Sequence, residues 1–429
     1  MNKTQKTKWF AVISDVHIDT RNPEPSVEKF KIALSQLKTR AGGTLDAVLV
    51  AGDLGDHKDP QDIRIFKDAY ESVFSPEDVP LVHCYGDDHD FVWADPEAPA
   101  RIAEYNGIFG KRYFARDVDP DAIPLGNRHA VIGGYHILAL EPCGRRPILY
   151  SEQTKCWLDQ TLRALTEAEP DRYVLILTHP MLSDTVYGSE LRGGAWATED
   201  LTEILSRYPQ ALVFAGHLHF PLIDPRSIMQ TRFTSVGTGA VRYLGIETDG
   251  FTKIPAPTWV PDSLALSQGL LIELPPDRTV RIHRLNFAKN AEIGTPWVLD
   301  APQADGSHLS RYSRARGDRA HNQPPVLSDF TLTAENNKLI LRFPLAKDDE
   351  FTHHFVVSFG EPDGVCRRRR VVTDFYSVCQ TSEMKPDYET VIENFEYGKT
   401  YFVSLTAFDS WDAQSQTVTK QITLEKEPS

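Results

Sequence analysis

The chain has 429 residues, 41% of them apolar and 25% charged, the balance of a soluble globular protein long enough for two or three domains. Its 46 Lys and Arg stand against 60 Asp and Glu, a formal charge of −14, which speaks against binding to a nucleic-acid duplex or an anionic membrane, since both need a basic footprint. No run approaches the ~18 consecutive apolar residues of a membrane span. The five cysteines (Cys84, Cys143, Cys156, Cys366, Cys379) form no CxxC pair, so neither a disulfide-framed fold nor a thiolate zinc site is expected.

In chain order, apolar runs occur at Trp9–Ser14, Ala47–Ala51, Leu81–Tyr85, Ile137–Leu140, Val174–Thr178 and Leu212–Ala215. They are rich in Val, Ile and Leu and mostly lack polar alternation, as in strands covered on both faces. Between them lie helical patterns: Val27, Phe30, Leu34 and Leu37 behind a Ser26 N-cap; Ile63, Phe66, Tyr70 and Val73; Leu158, Leu162 and Leu165 behind Ser151; and Leu201, Ile204, Leu205 and Tyr208 behind Thr198. This alternation predicts an α/β fold with a largely parallel, layered sheet. Two further strands, Gly269–Leu274 and Thr279–Leu285, follow. The Ser-, Arg- and Gly-rich stretch Pro302 to Pro325 lacks apolar periodicity and reads as a linker. After it come only β signals, at Phe330–Thr333, Leu339–Phe343, Phe355–Phe359, Val371–Val378, Tyr401–Phe408 and Thr417–Leu424, the pattern of a β-sandwich. The expected division is 1–301, a linker over 302–324, and 325–429.

Chemistry-bearing residues cluster where the strands end. The first strand runs into Asp15-Val16-His17, the second into Gly52-Asp53-Leu54-Gly55-Asp56, and the third into Gly86-Asp87-Asp88-His89-Asp90; later ones end in His179 and in Gly216-His217-Leu218-His219. Ligands of open α/β sheets collect at the carboxyl ends of strands. Carboxylate and imidazole suit Zn, Mn and Fe. Read as extended chain, Asp15/His17 and His217/His219 each send both side chains to one side. Seven Asp and His side chains exceed the needs of one ion, and two ions about 3.5–4 Å apart with a bridging carboxylate would use them.

The series D-x-H, G-D-x-x-D, His-Asp, lone His and G-H-x-H resembles the calcineurin-like metallophosphoesterase family from Asp15 to His219. The resemblance implies a four-layer αββα sandwich. It implies two transition-metal ions (Mn2+, Fe2+/Fe3+ or Zn2+), with Asp15, His17 and His219 on the first, Asp53 bridging, and His179 and His217 on the second. It further implies phosphoester hydrolysis by a metal-bridging hydroxide, with His89 as leaving-group acid oriented by Asp56. The family's third motif usually reads Gly-Asn-His-Asp or Gly-Asn-His-Glu; here Asp88 holds the Asn position and is the expected ligand, with Asp87 the alternative. Monoesters and diesters both remain open as substrates, and the layout is similar to the bacterial cyclic-nucleotide phosphodiesterase branch. A non-enzymatic scaffold with this fold is the rival reading.

Other residues have plainer expectations. His57 reads as a rim loop residue, His83 as packed within its strand, and His129 and His136 as structural. Trp93, Tyr187, Arg192 and Trp196, with the segment Phe220 to Pro261, are candidates to shape a substrate pocket. The arginines at 367–370 read as a device that blunts a sheet edge, with anion binding the alternative. Tyr397 to Ala407 resembles the F strand of fibronectin type III domains, with Tyr401 as the corner tyrosine and Phe343 where that family often has Trp. Such an immunoglobulin-like module is expected to position the catalytic part or to bind a surface or protein partner. The basic start lacks an apolar signal core, which predicts the cytoplasm; export, with the leader missing from this sequence, is the alternative.

Overall fold

The computed structural model of the chain describes residues 6–43, 45–191, 196–248, 257–335, 337–362 and 364–425. These form two compact units that meet in sequence between Ser313 and Arg314. Strands of the first unit are β1 (Lys8–Ile13), β2 (Ala47–Ala51), β3 (Leu81–Cys84), β4 (Arg128–Ile132), β5 (Tyr135–Leu140), β6 (Val174–Thr178), β7 (Ala211–Ala215), β8 (Ile228–Gln230), β9 (Thr234–Gly237), β10 (Gly245–Glu247), β11 (Pro257–Trp259), β12 (Gln268–Leu274) and β13 (Val280–Asn286). Its long helices are α1 (Glu24–Arg40), α2 (Pro60–Glu71), α3 (Ala98–Phe109) and α4 (Glu152–Ala168).

One sheet has the order β13-β12-β1-β2-β3, with β1, β2 and β3 parallel and β12 antiparallel to β1 through Ala11↔Leu271. The short strands Ala291–Glu292 and Trp297–Leu299 extend it beyond β13. The other sheet has the order β8-β9-β7-β6-β5-β4, parallel except at its two edges. Alternate residues of the strands face opposite layers. Ala11, Ile13, Val48 and Val50 pack against Phe30, Leu34, Phe66, Tyr70, Ile102 and Phe109 of α1, α2 and α3. Leu138, Leu140, Ile176 and Val213 pack against Leu158 and Leu162 of α4. The intervening residues Phe10, Val12, Leu49, Leu175, Leu177, Leu212 and Phe214 are also fully buried, and Phe10 meets Tyr135 edge to face at 6.1 Å. Helices, sheet, sheet and helix therefore form the four-layer αββα sandwich, and strands buried on both faces account for the unbroken apolar runs. Among the described residues no helix is long and apolar enough to cross a membrane.

Local departures from the sequence pattern have identifiable causes. Helix α1 starts two residues before Ser26, on Pro23 with proline in its first turn, where a missing N–H costs nothing; Ser26 is buried and donates to Pro23 O at 3.0 Å. Helix α3 was masked in the sequence by Pro99 and Gly107, and is held by burial of Ile102, Tyr105 and Phe109. Behind Thr198 only one turn forms, Thr202–Leu205, because Thr198 itself pairs in a short strand with Leu182. In the stretch read as a linker, Tyr312 exchanges hydrogen bonds with Gln230 at 2.9 Å and His308 meets Pro209 O at 3.1 Å.

The second unit is a sandwich of two antiparallel sheets. One joins β14 (Thr331–Glu335), β15 (Lys338–Pro344) and β18 (Asp387–Ile392); the other has the order β17 (Arg367–Val372), β16 (Thr352–Gly360), β19 (Thr400–Asp409), β20 (Val418–Thr423). Leu339, Leu341 and Phe343 from the first sheet and Phe355, Val357, Val403 and Leu405 from the second share one core. Strand β19 alternates buried and half-exposed along its full length. Tyr401 accepts the Glu396 N–H on its hydroxyl at 3.0 Å. The arginine run forms edge strand β17, where Arg367 lies 4.9 Å from the Phe359 ring and Arg369 donates to Val391 O at 2.6 Å.

Candidate metal centre

Strands β1, β2, β6 and β7 stop just short of the residues that matter. Asp15, His17, Asp53, Asp88, His217 and His219 all have positive φ, between 46° and 76°. The expectation that extended chain aligns the Asp15/His17 and His217/His219 pairs therefore fails. Left-handed turns at the strand exits aim these side chains instead, a strain of roughly 1–3 kcal/mol per residue that surrounding structure must hold. Three glycines make room for the result. A Cβ on Gly86 would fall 1.7 Å from Asp53 Oδ1, one on Gly52 would fall 2.4 Å from the His179 ring, and one on Gly216 would fall 2.7 Å from Asp15 Oδ2.

The hydrogen-bond partners of the imidazoles fix their tautomers, because a carbonyl can only accept. His219 donates Nδ1–H to Tyr243 O at 3.1 Å and His179 donates Nδ1–H to Ala51 O at 2.9 Å. His17 Nδ1 faces Asp56 Oδ1 at 3.1 Å. In the neutral rings Nε2 is then a bare lone pair. His17 Nε2 and His219 Nε2 nevertheless face each other at 3.2 Å, with Asp15 Oδ1 3.1 Å from His219 Nε2 and Asp53 Oδ2 3.5 Å from His17 Nε2. Asp15, His17, Asp53 and His219 thus converge four buried acceptors on one point, an arrangement that repels itself unless a cation sits among them.

A second convergence adjoins the first. His179 Nε2 lies 3.3 Å from Asp53 Oδ1 and 3.2 Å from His217 Nδ1. Asp53 Oδ1 is buried and has no hydrogen-bond donor, an expensive state for a carboxylate oxygen. One carboxylate therefore offers an oxygen to each set. The donor chemistry fits two borderline transition-metal ions. Charge balance agrees: burial opposes ionisation of Asp53, yet the neighbouring histidines, His179 first, hold its carboxyl below the usual range. Burial likewise opposes charging His179, but Asp53 pulls it up to about 10, whereas burial and then His179 push His217 down to about 3.

His89 lies outside both sets. Its Nδ1 meets Asp56 Oδ1 at 3.1 Å, and its ring stands edge-on to His17 at 4.5 Å. Burial opposes its charge, but Asp53 and Asp56 raise it to about 9. Asp56 Oδ1 is shared with His17 Nδ1, while Asp56 Oδ2 lies 3.4 Å from His57 Nε2, itself 2.8 Å from Asp19. His57 thus braces Asp56. Asp88 is not among the converging groups of the described residues; its carboxylate pairs with Arg145, and Arg145 Nε also takes Asp87 Oδ2 at 2.6 Å. Asp90 is buried and accepts N–H groups of Leu54, Gly55 and Gly86 at 3.2, 2.7 and 2.8 Å, tying the second and third motif loops together.

A cavity of about 240 Å³ opens on the centre, lined by Asp53, His89, His217 and His219 together with Trp93, Arg145, Arg146, Trp196, Tyr243 and Trp259. Trp93 is buried and donates Nε1–H to Glu141 at 2.8 Å. Tyr187 closes a loop, under the Arg226 guanidinium at 3.8 Å and bonded to Glu247. Arg192 lies outside the described residues. His83 packs on Phe109 within β3 and touches Arg128; His129 and His136 pair with each other at 2.8 Å on β4 and β5. Sequence reasoning placed Tyr243 and Trp259 only within the candidate pocket segment Phe220 to Pro261 and did not name Arg145, whose signal was the Arg145-Arg146 pair following β5, at the same rim as the other strand ends.

This fold and this donor set define a metallophosphoesterase domain. The family model of calcineurin-like phosphoesterases matches residues 8–221, and that segment belongs to the family, whose enzymes are hydrolases of phosphoric esters. A search of curated proteins gave no match. Among solved structures, a purple acid phosphatase from yellow lupin (Lupinus luteus) seeds is similar at 12% identity and TM-score 0.48, over 72% of this chain and 56% of that one. The chain thus spans little more than half of the lupin enzyme's length. The chicken CNTN1 FN1–FN3 domains are similar at 12% identity and TM-score 0.20, over 42% of this chain and 55% of that one.

Proposed function

We propose that the protein hydrolyses small phosphate esters at this centre with two bound transition-metal ions. The observation that carries the reading is Asp53, whose two oxygens face the His17/His219 set and the His179/His217 set separately. Asp15, His17, His219 and Asp53 would hold one ion. Asp53, His179 and His217 would hold the other, with Asp88 the candidate to complete that set. Bound metal supplies Lewis acidity toward phosphate oxygens and lowers the pKa of water.

The chain's own residues do the remainder. His89 keeps its Nδ1 on Asp56, which leaves Nε2 to hand a proton to the departing oxygen. Asp56 favours the charged imidazolium and fixes its orientation. Arg145 offsets Asp87 and Asp88 on the cavity wall, and Arg146 adds a positive charge there that favours an anionic ester. Asp15, Asp53 and His179 are buried at the strand ends, which limits the reorganisation needed on binding.

Both monoesters and diesters fit this machinery, diesters being the preferred reading, and the His89 acid serves poor leaving groups of either kind. The fibronectin-like second unit is read as a module that positions the enzyme or binds a partner surface. Comparing bis-p-nitrophenyl phosphate with p-nitrophenyl phosphate, with Mn2+ added, tests the reading. Faster turnover of the diester is expected; turnover of neither ester by metal-loaded protein would refute it.

A further inference from the structure

Trp259 is 62% exposed, the most open large apolar side chain among the described residues of the first unit. A single exposed tryptophan needs no explanation, but this one is part of a built surface. Its ring meets Tyr243 at 5.0 Å, tilted by 39°. Tyr243 in turn lies 4.2 Å from the His219 ring and stacks on His17 at 5.6 Å. A row of rings therefore runs from the metal-facing histidines to the mouth of the cavity, which Trp259 lines together with His89 and Arg145.

The row is tied to the centre by backbone. Tyr243 O accepts the His219 Nδ1–H, and Gly245 N donates to His219 O at 3.1 Å. Strand β10 pairs Gly245 with Trp259 of β11. A Cβ at Gly245 would fall 2.8 Å from Thr258 O, so glycine permits the close pairing that sets the tryptophan. On another part of the rim, Trp196 lies 5.0 Å from His217. The cavity, at about 240 Å³, is smaller than most ligand sites, which run roughly 300–1,000 Å³. Tyr243 and Trp259 are part of its wall, so an ester whose phosphate sits at the histidine end has its remainder beside these rings.

We propose that the Tyr243–Trp259 shelf binds a flat aromatic group of the substrate, so that the ester hydrolysed is of the nucleotide or aryl class. The inference rests on the phosphoesterase reading for its reaction but not for its binding surface. Aromatic faces stack on bases and aryl rings with little dependence on sequence or substituent. Quaternary ammonium groups also seek aromatic faces, and phosphocholine is included in the test to separate them from a flat ring. Stacking of this kind carries about 1–3 kcal/mol per ring, so the expected effect of losing it is about tenfold in KM.

The test compares Trp259→Ala and Trp259→Phe with the unaltered metal-loaded protein on four esters: adenosine monophosphate, phenyl phosphate, glycerol phosphate and phosphocholine. Trp259→Ala is expected to raise KM for the two aromatic esters about tenfold relative to glycerol phosphate, with kcat moving less and Trp259→Phe retaining most of the affinity. A greater loss on adenosine monophosphate identifies a base as the ring; a greater loss on phenyl phosphate identifies a simple aryl group. Equal changes on all four esters, or the largest loss on phosphocholine, overturn the proposal. Calorimetric titration with adenosine, which has no phosphate, separates the two readings. Adenosine binding that Trp259→Ala abolishes, in a protein that cleaves neither these monoesters nor bis-p-nitrophenyl phosphate, keeps the shelf and refutes the phosphoesterase; failure to bind adenosine or any aromatic ester more tightly than glycerol phosphate refutes the shelf alone.

Discussion

Arg145 holds the Asp88 carboxylate at the rim of the cavity, while its Nε takes Asp87 at 2.6 Å. The pairing explains how an aspartate is tolerated where the related motif carries asparagine. The added negative charge beside an anionic substrate is offset by a guanidinium from the loop after β5. Both partners are partly open to solvent, so the pair is worth at most about 1 kcal/mol, or roughly fivefold in an equilibrium.

Asp88→Asn should therefore lower KM for an anionic phosphate ester by up to about fivefold, and Arg145→Ala should raise it by a similar factor. Both effects should shrink at high salt. Steady-state kinetics at two ionic strengths decides the matter, and identical KM values in all three proteins would contradict the pairing's role.

Gly86→Ala should empty the centre and cost stability. The new methyl would meet Asp53 Oδ1 at 1.7 Å and Asp53 N at 2.8 Å, which forces the carboxylate off both histidine sets. Metal content is expected to fall by at least half, and the melting temperature to fall as well because Asp53 N is backbone that must shift. Undiminished metal content in the variant would show that Asp53 does not have to be where it stands.

His89→Ala tests the leaving-group acid through its selectivity. General acids typically contribute about 10²–10⁴-fold, and only where the departing oxygen needs a proton. The loss in kcat should be large for alkyl esters and small for p-nitrophenyl esters, whose leaving group departs as a stable anion. A loss of the same size on both kinds of ester would assign His89 another role.

Acid should loosen the edge hairpin of β4 and β5 before the rest. His129 is pushed down to about 4 by burial and then by His136, against an ordinary value of 6.5. Between those values the unfolded chain binds more protons than the folded one, so stability is present above pH 6.5 and lost as pH falls toward 4. Solvent screening of this half-buried pair reduces the effect to about 1–2 kcal/mol. Chemical denaturation across that window should show the loss, and His129→Gln should flatten it.

The strand-end motifs were legible because each is an abrupt Asp or His after an unbroken apolar run, and the layers were legible because those runs are buried on both faces. The aim of the side chains was not: Asp15, His17, His217 and His219 are left-handed where alignment would rest on extended chain, and no local signal marks them. Arg145, Tyr243 and the strand residue Trp259 are brought together only by tertiary structure. Strand β18 escaped notice because Asp387, Glu389 and Thr390 break its apolar pattern, and β17 ends at Val372 because Phe375–Ser377 forms a 3-10 turn.

The central claim is that Asp53 joins two metal sets that together perform phosphoester hydrolysis. Metal content and ester turnover should be measured together, on the protein as purified, after exhaustive chelation, after Mn2+ is restored, and in Asp53→Asn carried through the same steps. Turnover should vanish on chelation and return with about two equivalents of metal per chain, while Asp53→Asn should retain one or fewer and stay inactive. Full turnover in the chelated protein, or in an Asp53→Asn variant stripped of metal, would contradict the account.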